Sequence, residues 1–297
     1  MSKGTIAGIR RGNRFSPNHI GNDAAIFSLT VSHLREKGYI VNEYVETDLL
    51  TGTCDEKAIF NMVRDLGSVR RLKQMEDEGR LIVNSGYGIE NCTRERMTRL
   101  LMSNGISHPS SIIVETGCDP VSMLEEAGFG NCWIKRGDFH AIHREDVTYV
   151  RHLDEARCIL KEYFIRGIET AVINEHLVGD LVKFYGVVGT SFFYWFYPTG
   201  IPGKHSKFGL EKINGQARGI PFDKEGLHRL CTAAADILNI KIYGGDCVVA
   251  EDSTIRLIDF NDWPSFAPCR DEAAPYIAEC INRLIETDEK RTYGVGH

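Results

Sequence analysis

The sequence lacks the features that would direct it to a membrane, to the cell exterior or to nucleic acid. No apolar run approaches the ~20 residues of a membrane span. The first residues, Met1 to Ala7, contain no apolar segment followed by a cleavage site. An excess of basic residues is also missing, because the formal net charge is −6. We therefore expect a cytoplasmic protein that has neither nucleic acid nor a membrane as its partner.

Closely spaced cysteines are missing as well. The sequence has 9 cysteines, an odd number, and none forms a CxxC pair. Zinc motifs and disulfide frameworks both depend on regular cysteine spacing, so neither is expected. The thiols are predicted to be reduced and to act as small core residues.

Residues 1–82 alternate between the patterns of strands and helices. Strands are expected at 5–9, 39–46 and 80–84, a helix at 22–37, and helical or turn-like segments at 55–66 and 68–78. Such alternation predicts a small parallel sheet with crossover helices. Farther along, one helix is expected over 89–104.

The most informative segment lies near the C-terminus, where two strand patterns flank the polar turn 251–254. Residues two apart on a strand share a face, so Asp259 and Asn261 should project together. A hairpin can bring Asp246 beside them. Two carboxylates and an amide oxygen form a hard-oxygen site that suits Mg²⁺. Such a site borrows further ligands from water and phosphates, which makes it a candidate nucleoside triphosphate site.

The alternative is a hairpin whose acidic residues are simply solvated. Asp259 lies in an otherwise apolar strand, between Ile258 and Phe260. A buried lone carboxylate is unfavourable by several kcal/mol unless it is paired or bound to a metal. The metal site is therefore the preferred interpretation.

Upstream features precede this hairpin in a fixed order. A strand carries Lys135, a polar loop follows at 136–146, and a later strand ends at Asn174 and Glu175. The ordered set, over residues 80–270, resembles the ATP-grasp superfamily. The resemblance implies an α/β protein in which an ATP-grasp fold follows a small Rossmann-like parallel-sheet domain. The implied divisions are 1–82 for that first domain, 83–168 for the lid and central subdomain, and 169–297 for the C-terminal subdomain with the Mg-ATP site.

The resemblance also implies roles for individual residues. Mg²⁺ would be held by Asp246, Asp259 and Asn261. ATP would contact Lys135, Gly137, Asn174, Glu175 and Leu177, with Lys135 on the phosphates and the hinge residues at the adenine. Lys183 and Arg218 would supply catalytic positive charge.

The loops around this site are predicted from the same resemblance. Residues 136–146 would form a lid over the phosphates, in which Gly137 is the one glycine. His140 and His143 are expected to be exposed or to face phosphate, and a metal pair is the alternative. Lys204 and Lys207 could close on an anionic acceptor or be solvated. Ser265 stands where family members commonly have glycine.

The function implied is an ATP- and Mg²⁺-dependent ligase that joins a carboxylate, through an acyl phosphate, to an amine or thiol. Its acceptor would be a small, anionic molecule, and a homodimer is expected by analogy with the fold. A kinase of the same fold that acts on a hydroxyl is the first alternative. A non-catalytic nucleotide-binding module is the second.

Overall fold

The computed structural model describes residues 3–15, 20–139, 144–198 and 213–294. The first sheet has the order β2-β1-β3-β4 and all its pairings are parallel. Its strands are β1 (Gly4–Arg10), β2 (Tyr39–Val45), β3 (Ala58–Asn61) and β4 (Leu81–Val83). Its helices are α1 (Ile20–Glu36), α2 (Glu46–Thr51) and α3 (Leu66–Asp77). The predicted small parallel sheet is confirmed.

The expectation for 55–66 is wrong, because this segment contains β3. The strand is only 4 residues long and lies between β1 and β4. Ile59, Phe60 and Asn61 are all buried. A strand that is covered on both faces shows no alternation of polar and apolar residues, so its pattern cannot be told from a short helix.

The single helix expected at 89–104 is divided into α4 (Gly86–Asn91) and α5 (Arg94–Ser103). Thr93 has extended backbone angles between them, and its hydroxyl donates to the Glu90 carbonyl at 2.8 Å. A new helix therefore begins at Arg94, and this sets the direction of that side chain.

The central sheet is antiparallel with the order β5-β8-β6-β7. Its strands are β5 (Ser111–Glu115), β6 (Cys132–Arg136), β7 (Val147–Val150) and β8 (Thr170–Glu175), and its helices are α6 (Val121–Glu126) and α7 (Leu153–Ile165). Ile134 and Ile173 pack into a core with both helices. Alternate residues, including Lys135 and Asn174, lie on the opposite face. The domain limits stay a prediction. The proposed limit between residues 168 and 169 would put β8 in the C-terminal subdomain, whereas β8 pairs with β5 and β6 of the central sheet.

The third sheet is antiparallel with the order β10-β9-β11-β12. Its strands are β9 (Asp180–Val187), β10 (Phe193–Phe196), β11 (Ile242–Val249) and β12 (Ile255–Asp262), and the remaining helices are α8 (Lys224–Leu238) and α9 (Arg270–Gly294). Helix α8 covers one face of this sheet through a core that includes Phe184, Tyr243 and Phe260. The other face is left for the candidate site.

Two contacts join the first sheet to the third. Asn84 is buried, and its amide donates to the Ile242 carbonyl at 2.7 Å and accepts from the Lys241 and Ile242 amides at 2.8 and 2.9 Å. Helices α1 and α9 also share one apolar core with Phe60 of the first sheet, Ile242 of the third sheet, and Trp263, which follows β12. These contacts with the first sheet therefore fix the position of the hairpin formed by β11 and β12.

The cysteines are free thiols, and all except Cys118 and Cys158 are buried. The expectation that most of them act as small core residues is confirmed. Among the helices of the described ranges, none combines the length and the apolar character needed to cross a bilayer.

Candidate functional site

The hairpin of β11 and β12 brings the predicted acidic residues together. Asp246 lies directly opposite Asp259 and, on its other side, directly opposite Lys183 of β9. The pairing shifts after Asp246, so that Ile258 is an extra residue in β12. Such a bulge redirects a side chain and frees a carbonyl from the ladder. Asp259 therefore shares the face on which Asp246 and Lys183 project.

Cationic side chains contact both carboxylates. Lys183 Nζ donates to Asp246 Oδ1 at 2.8 Å. Arg94, at the start of α5, lies with a guanidinium nitrogen 3.4 Å from Asp259 Oδ2. The Arg94 side chain is 7% exposed, whereas that of Asp259 is 24% exposed. The acidic face is thus already paired with positive charge and still reachable from solvent.

Lys135 approaches the same place from the central sheet. Its ammonium donates to the Ile258 carbonyl at 3.1 Å, the carbonyl of the bulged residue. Burial, reinforced by the charge of Arg94, lowers the pKa of Lys135 to about 7, against the opposing effect of Asp259 and Asp246. A buried ammonium whose charge is only partly offset by nearby carboxylates attracts an incoming anion strongly.

His108 is a further group at this site. Its Nδ1 lies 2.9 Å from the Pro109 carbonyl, which makes Nδ1 the protonated nitrogen. Among the described residues, its buried Nε2 has no hydrogen-bond partner. Burial lowers the pKa of His108 to about 4, and the charges of Lys135 and Arg94 act in the same direction. The ring is therefore neutral.

Neither Arg94 nor His108 was assigned to the site from the sequence. Arg94 lies on the polar side of a helix pattern, where charged residues are ordinarily solvated. Its direction depends on the break between α4 and α5. A buried histidine before a proline carries no pattern of its own, so only the packing of α5, β6 and β12 identifies it.

The hinge between the central and third sheets carries the predicted adenine contacts. Glu175 Oε1 accepts from the Ser110 amide at 2.7 Å, and the Asn174 amide donates to Ser111 Oγ at 2.7 Å. Asn174 is buried, and both side chains are held by the chain that leads into β5. The backbone carbonyl of Leu177 accepts from Asn214 at 3.1 Å.

An apolar surface lies next to this hinge. Leu177, Leu181 and Val248 form a small buried cluster, with Ile258 packed against it. These residues lie on β9, β11, β12 and the hinge, on the side of the third sheet that α8 does not cover. A flat apolar group that enters between the two sheets would contact this cluster and end near Lys135.

Gly137 directly follows β6, and its backbone is hydrogen-bonded on both sides. Its amide donates to the Thr170 carbonyl at 2.8 Å, and its carbonyl accepts from the Glu95 amide at 3.0 Å. A Cβ at this position would lie 2.5 Å from Thr170 Oγ1, so the glycine permits close packing. These backbone hydrogen bonds continue the pairing of β6, and the contact of Gly137 with ATP stays a prediction. His140, His143, Lys204 and Lys207 lie outside the described residues.

Arg218 is not brought together with the acidic pair. Its guanidinium contacts Glu251 Oε1 at 2.7 Å, and the side chain is 54% exposed. Glu251 belongs to the turn of the hairpin, five positions after Asp246, which is roughly 17 Å along an extended strand. Asp180 binds the Arg218 amide at 2.8 Å, so the backbone is fixed while the charge faces solvent.

The donor set suits Mg²⁺. Asp246 and Asp259 offer carboxylate oxygens on one face, and Asn261 follows Asp259 at the spacing that shares that face. Within the described ranges, no three His, Cys, Asp or Glu side chains gather into a group that could hold a metal. An ion here would need additional oxygens from phosphate or water, as Mg²⁺ commonly does.

The segment after β12 adopts the left-handed conformation that glycine usually supplies. Phe266 has φ of 49° and is fully buried. Its ring packs on Tyr185 and Phe192, with centroid distances of 5.1 and 6.1 Å. The unfavourable backbone costs about 1–2 kcal/mol, which burial of an aromatic side chain can offset. Burial of the Phe266 ring therefore compensates for a left-handed backbone at a residue other than glycine.

Comparison with solved structures gives likenesses over the whole chain. D-alanine–D-alanine ligase from Bacillus anthracis, complexed with ATP, has a TM-score of 0.68 at 16% identity, covering 98% of this chain and 99% of that one. The corresponding ligase from Coxiella burnetii has a TM-score of 0.67 at 14% identity, with coverages of 99% and 100%. A RimK domain ATP-grasp protein from Sphaerobacter thermophilus has a TM-score of 0.66 at 14% identity, with coverages of 93% and 99%.

No family model and no curated protein matches the sequence. At these identities, the likenesses show the fold, and they confirm the architecture expected from the order of Lys135, Glu175 and the acidic hairpin.

Proposed function

Since the chain has the ATP-grasp fold, we propose that it is an ATP- and Mg²⁺-dependent ligase. It would join a small carboxylate, activated as an acyl phosphate, to an amine or thiol. Its buried, free thiols fit the reducing conditions of the cytoplasm, where we place it. Function does not follow from fold, so the proposal depends on the site.

One observation carries the proposal: a face with Asp246, Asp259 and Lys183 lies against Lys135 of another sheet. Two carboxylates and three cations, counting Arg94, meet where two sheets face each other. A polyphosphate with a divalent ion is the ligand whose charges complement both sets. The ion would satisfy the carboxylates, while the phosphate oxygens would attract the ammonium and guanidinium groups.

The nucleoside would occupy the surface next to the hinge. Leu177, Leu181 and Val248 offer apolar contact for a purine ring. The hinge backbone beyond Glu175 offers polar groups at its edge. This placement directs the phosphates toward Lys135, whose ammonium lies on the Ile258 carbonyl between the apolar cluster and Asp259.

When bound, Mg²⁺ would be held by Asp246, Asp259 and Asn261 and would neutralise charge on the phosphates. Lys135 and Lys183 would stabilise the charge that develops as a phosphoryl group leaves ADP. The substrate carboxylate oxygen attacks the γ-phosphorus, and the bond to the β-phosphate oxygen breaks. An amine or thiol then attacks the acyl carbon, phosphate leaves, and the nucleophile loses its proton.

The test begins with binding and continues with product analysis. Calorimetric titration with ATP and Mg²⁺ should give saturable binding. Phosphate release should then be measured over pairs of small carboxylates and amines or thiols. A ligase releases phosphate only when both partners are present and forms a condensed product. Phosphate that remains on a hydroxyl acceptor would identify the kinase alternative, and binding without turnover in either screen would identify the non-catalytic module.

A further inference from the structure

The two carboxylates of the acidic face are already occupied by cations of the protein itself. Lys183 Nζ donates to Asp246 Oδ1 at 2.8 Å, and a guanidinium nitrogen of Arg94 lies 3.4 Å from Asp259 Oδ2. Asp246 and Asp259 stand directly opposite each other on β11 and β12. A divalent ion at this place needs oxygens of the same carboxylates. The ion must therefore compete with two side chains that are bound there first.

Arg94 depends on its carboxylate partner more than Lys183 does. It is the first residue of α5, where the helix dipole disfavours a positive charge. Its side chain is 7% exposed, and among the described residues its guanidinium has one hydrogen-bond partner, Asp259 Oδ2. A buried cation that loses its only partner is strongly destabilising. An ion that displaced Arg94 would therefore create a second problem unless another anion arrived with it.

The charges at this face do not attract an ion by themselves. The two carboxylates are balanced by Arg94 and Lys183. Lys135 adds a further positive charge, and its ammonium donates to the Ile258 carbonyl at 3.1 Å and not to a carboxylate. These five groups together carry no net negative charge, so a divalent cation on its own gains little by approaching them.

A polyphosphate changes this balance. Its oxygens can pair with the guanidinium and ammonium groups that an ion displaces from Asp246 and Asp259. Arg94 has five N–H donors and a single long contact, so it can bind phosphate oxygens with a small movement. The ion then takes the carboxylates while every displaced cation keeps an anionic partner.

We propose that Arg94 and Lys183 hold the place of the divalent ion in the free protein, so that the ion binds only together with a polyphosphate. The inference rests on the proposed ligase and its Mg-ATP site, and it adds the order in which that site is filled. By linkage, the polyphosphate must raise the affinity for the ion by the same factor by which the ion raises the affinity for the polyphosphate. Arg94 is a positioning residue in this scheme, because its removal uncouples the two ligands.

The experiment uses Mn²⁺ as the probe, because the electron paramagnetic resonance signal of free Mn²⁺ reports the bound fraction directly. Full-length protein is titrated with Mn²⁺ alone and with Mn²⁺ in the presence of a non-hydrolysable ATP analogue. The analogue with Mn²⁺ but without protein supplies the correction for their own complex. We expect the wild type to bind Mn²⁺ at least about tenfold more tightly with the analogue than without it.

Variants test whether the two cations exclude the ion. Arg94→Gln and Lys183→Gln should each bind Mn²⁺ alone at least about tenfold more tightly than the wild type, since each releases one carboxylate. Arg94→Gln combined with Asp259→Asn should lose this gain, which assigns the ion to Asp259. Arg157→Gln removes an exposed arginine that pairs with Asp119 at 2.8 Å, and this matched control should bind Mn²⁺ as the wild type does.

The outcomes separate this inference from the ligase proposal. Wild-type protein that binds Mn²⁺ equally well with and without a bound analogue would overturn the coupled entry, and this measurement needs no variant. Normal analogue binding with unchanged Mn²⁺ affinity in Arg94→Gln and Lys183→Gln would overturn the exclusion and leave the ligase proposal standing. A gain of Mn²⁺ affinity in both variants, without any analogue binding to the wild type, would reject the ligase together with the coupled entry.

Discussion

Lys183 and Asp246 face each other across paired positions of β9 and β11, with Nζ and Oδ1 2.8 Å apart. The two side chains are 16% and 22% exposed, so the pair is partly open to solvent. A lysine held on a candidate metal ligand keeps that carboxylate compensated before a nucleotide arrives. In the proposed nucleotide complex, the same ammonium would lie next to the phosphates.

Asp259 should be essential for metal-dependent turnover. Asp259→Asn keeps the shape of the side chain and removes the charge that a metal requires. We expect ATP hydrolysis or ligation to fall by at least about 100-fold, and binding of metal-free nucleotide to persist. Turnover assayed over a range of Mg²⁺ concentrations measures this. Asp154→Asn, which changes a highly exposed carboxylate of α7, should behave as wild type, and equal rates for both variants would reject the metal assignment.

Substitutions of Lys183 and Arg218 should differ sharply in their effect on kcat. Lys183→Met removes an ammonium from the acidic face, and we expect kcat to fall by about 10- to 100-fold. Arg218→Met removes an exposed charge that pairs with Glu251, and kcat should change by less than about twofold. Steady-state kinetics of the two variants form a matched comparison. A large loss in Arg218→Met would show that its loop moves onto the substrate during catalysis.

Lys135 should stabilise the nucleotide complex and destabilise the free protein. Its folded pKa of about 7 is below the ordinary value of about 10.4. The unfolded chain therefore binds more protons between these values, and the free energy of unfolding rises with pH across that window. Lys135→Met should remove this rise, increase stability at neutral pH and weaken ATP binding. Urea denaturation at pH 7 and pH 9 measures the stability of both proteins, and ATP titration measures their binding. If the free energy of unfolding rises with pH as steeply in Lys135→Met as in the wild type, Lys135 is not a buried ammonium.

His108 should make the fold sensitive to acid. Its folded pKa of about 4 lies below the unfolded value of about 6.5, so the unfolded chain takes up the proton first. Stability is unaffected above pH 6.5 and falls as pH drops toward 4, by up to about 3 kcal/mol. His108→Asn should flatten this part of the urea-denaturation profile. His152→Asn, an exposed change at the start of α7, should leave the profile as in wild type.

Asn84 should be a stability determinant without direct contact to substrate. Asn84→Ala leaves the Lys241 and Ile242 amides without this acceptor, while the Ile242 carbonyl keeps the Trp263 amide as its donor. Unsatisfied buried groups cost about 1–3 kcal/mol each, so we expect a loss of about 3 kcal/mol or more. Denaturant unfolding measures it against Asn104→Ala, which changes an exposed residue at the end of α5. A loss below about 1 kcal/mol would mean that water replaces the side chain.

The order of motifs along the chain was enough to predict the fold and the acidic hairpin. Asp246 and Asp259 could be expected together because a tight turn sets the register of their strands. The bulge at Ile258 could not be foreseen, yet it determines where Lys135 binds. Local sequence patterns predict strands and turns. Which carbonyl a bulge leaves without a partner in the sheet depends on the neighbouring strand, so it cannot be predicted from one segment.

The remaining misses have the same physical origin. Arg11 directly follows β1, Arg64 comes three residues after β3, and both reach the end of β12, at Trp263 and Asp262. The convergence of strand ends in a parallel sheet was a usable signal for this. The signal does not apply to Arg64 unless β3 is predicted, and the sequence pattern of 55–66 does not predict it. The resemblance placed Gly137 in a lid over the phosphates, but it could not indicate that the Gly137 amide binds the Thr170 carbonyl across the sheet. Long-range pairing decided each case.

The apolar core that α1 and α9 share has a consequence for how the molecule comes apart. Phe60, from the first sheet, stacks on Trp263, which follows the last strand, with ring centroids 6.1 Å apart. Residues from nearly opposite parts of the sequence thus complete one another's packing. Neither part can loosen without exposing the interior of the other. The first and third sheets therefore form one cooperative unit of unfolding.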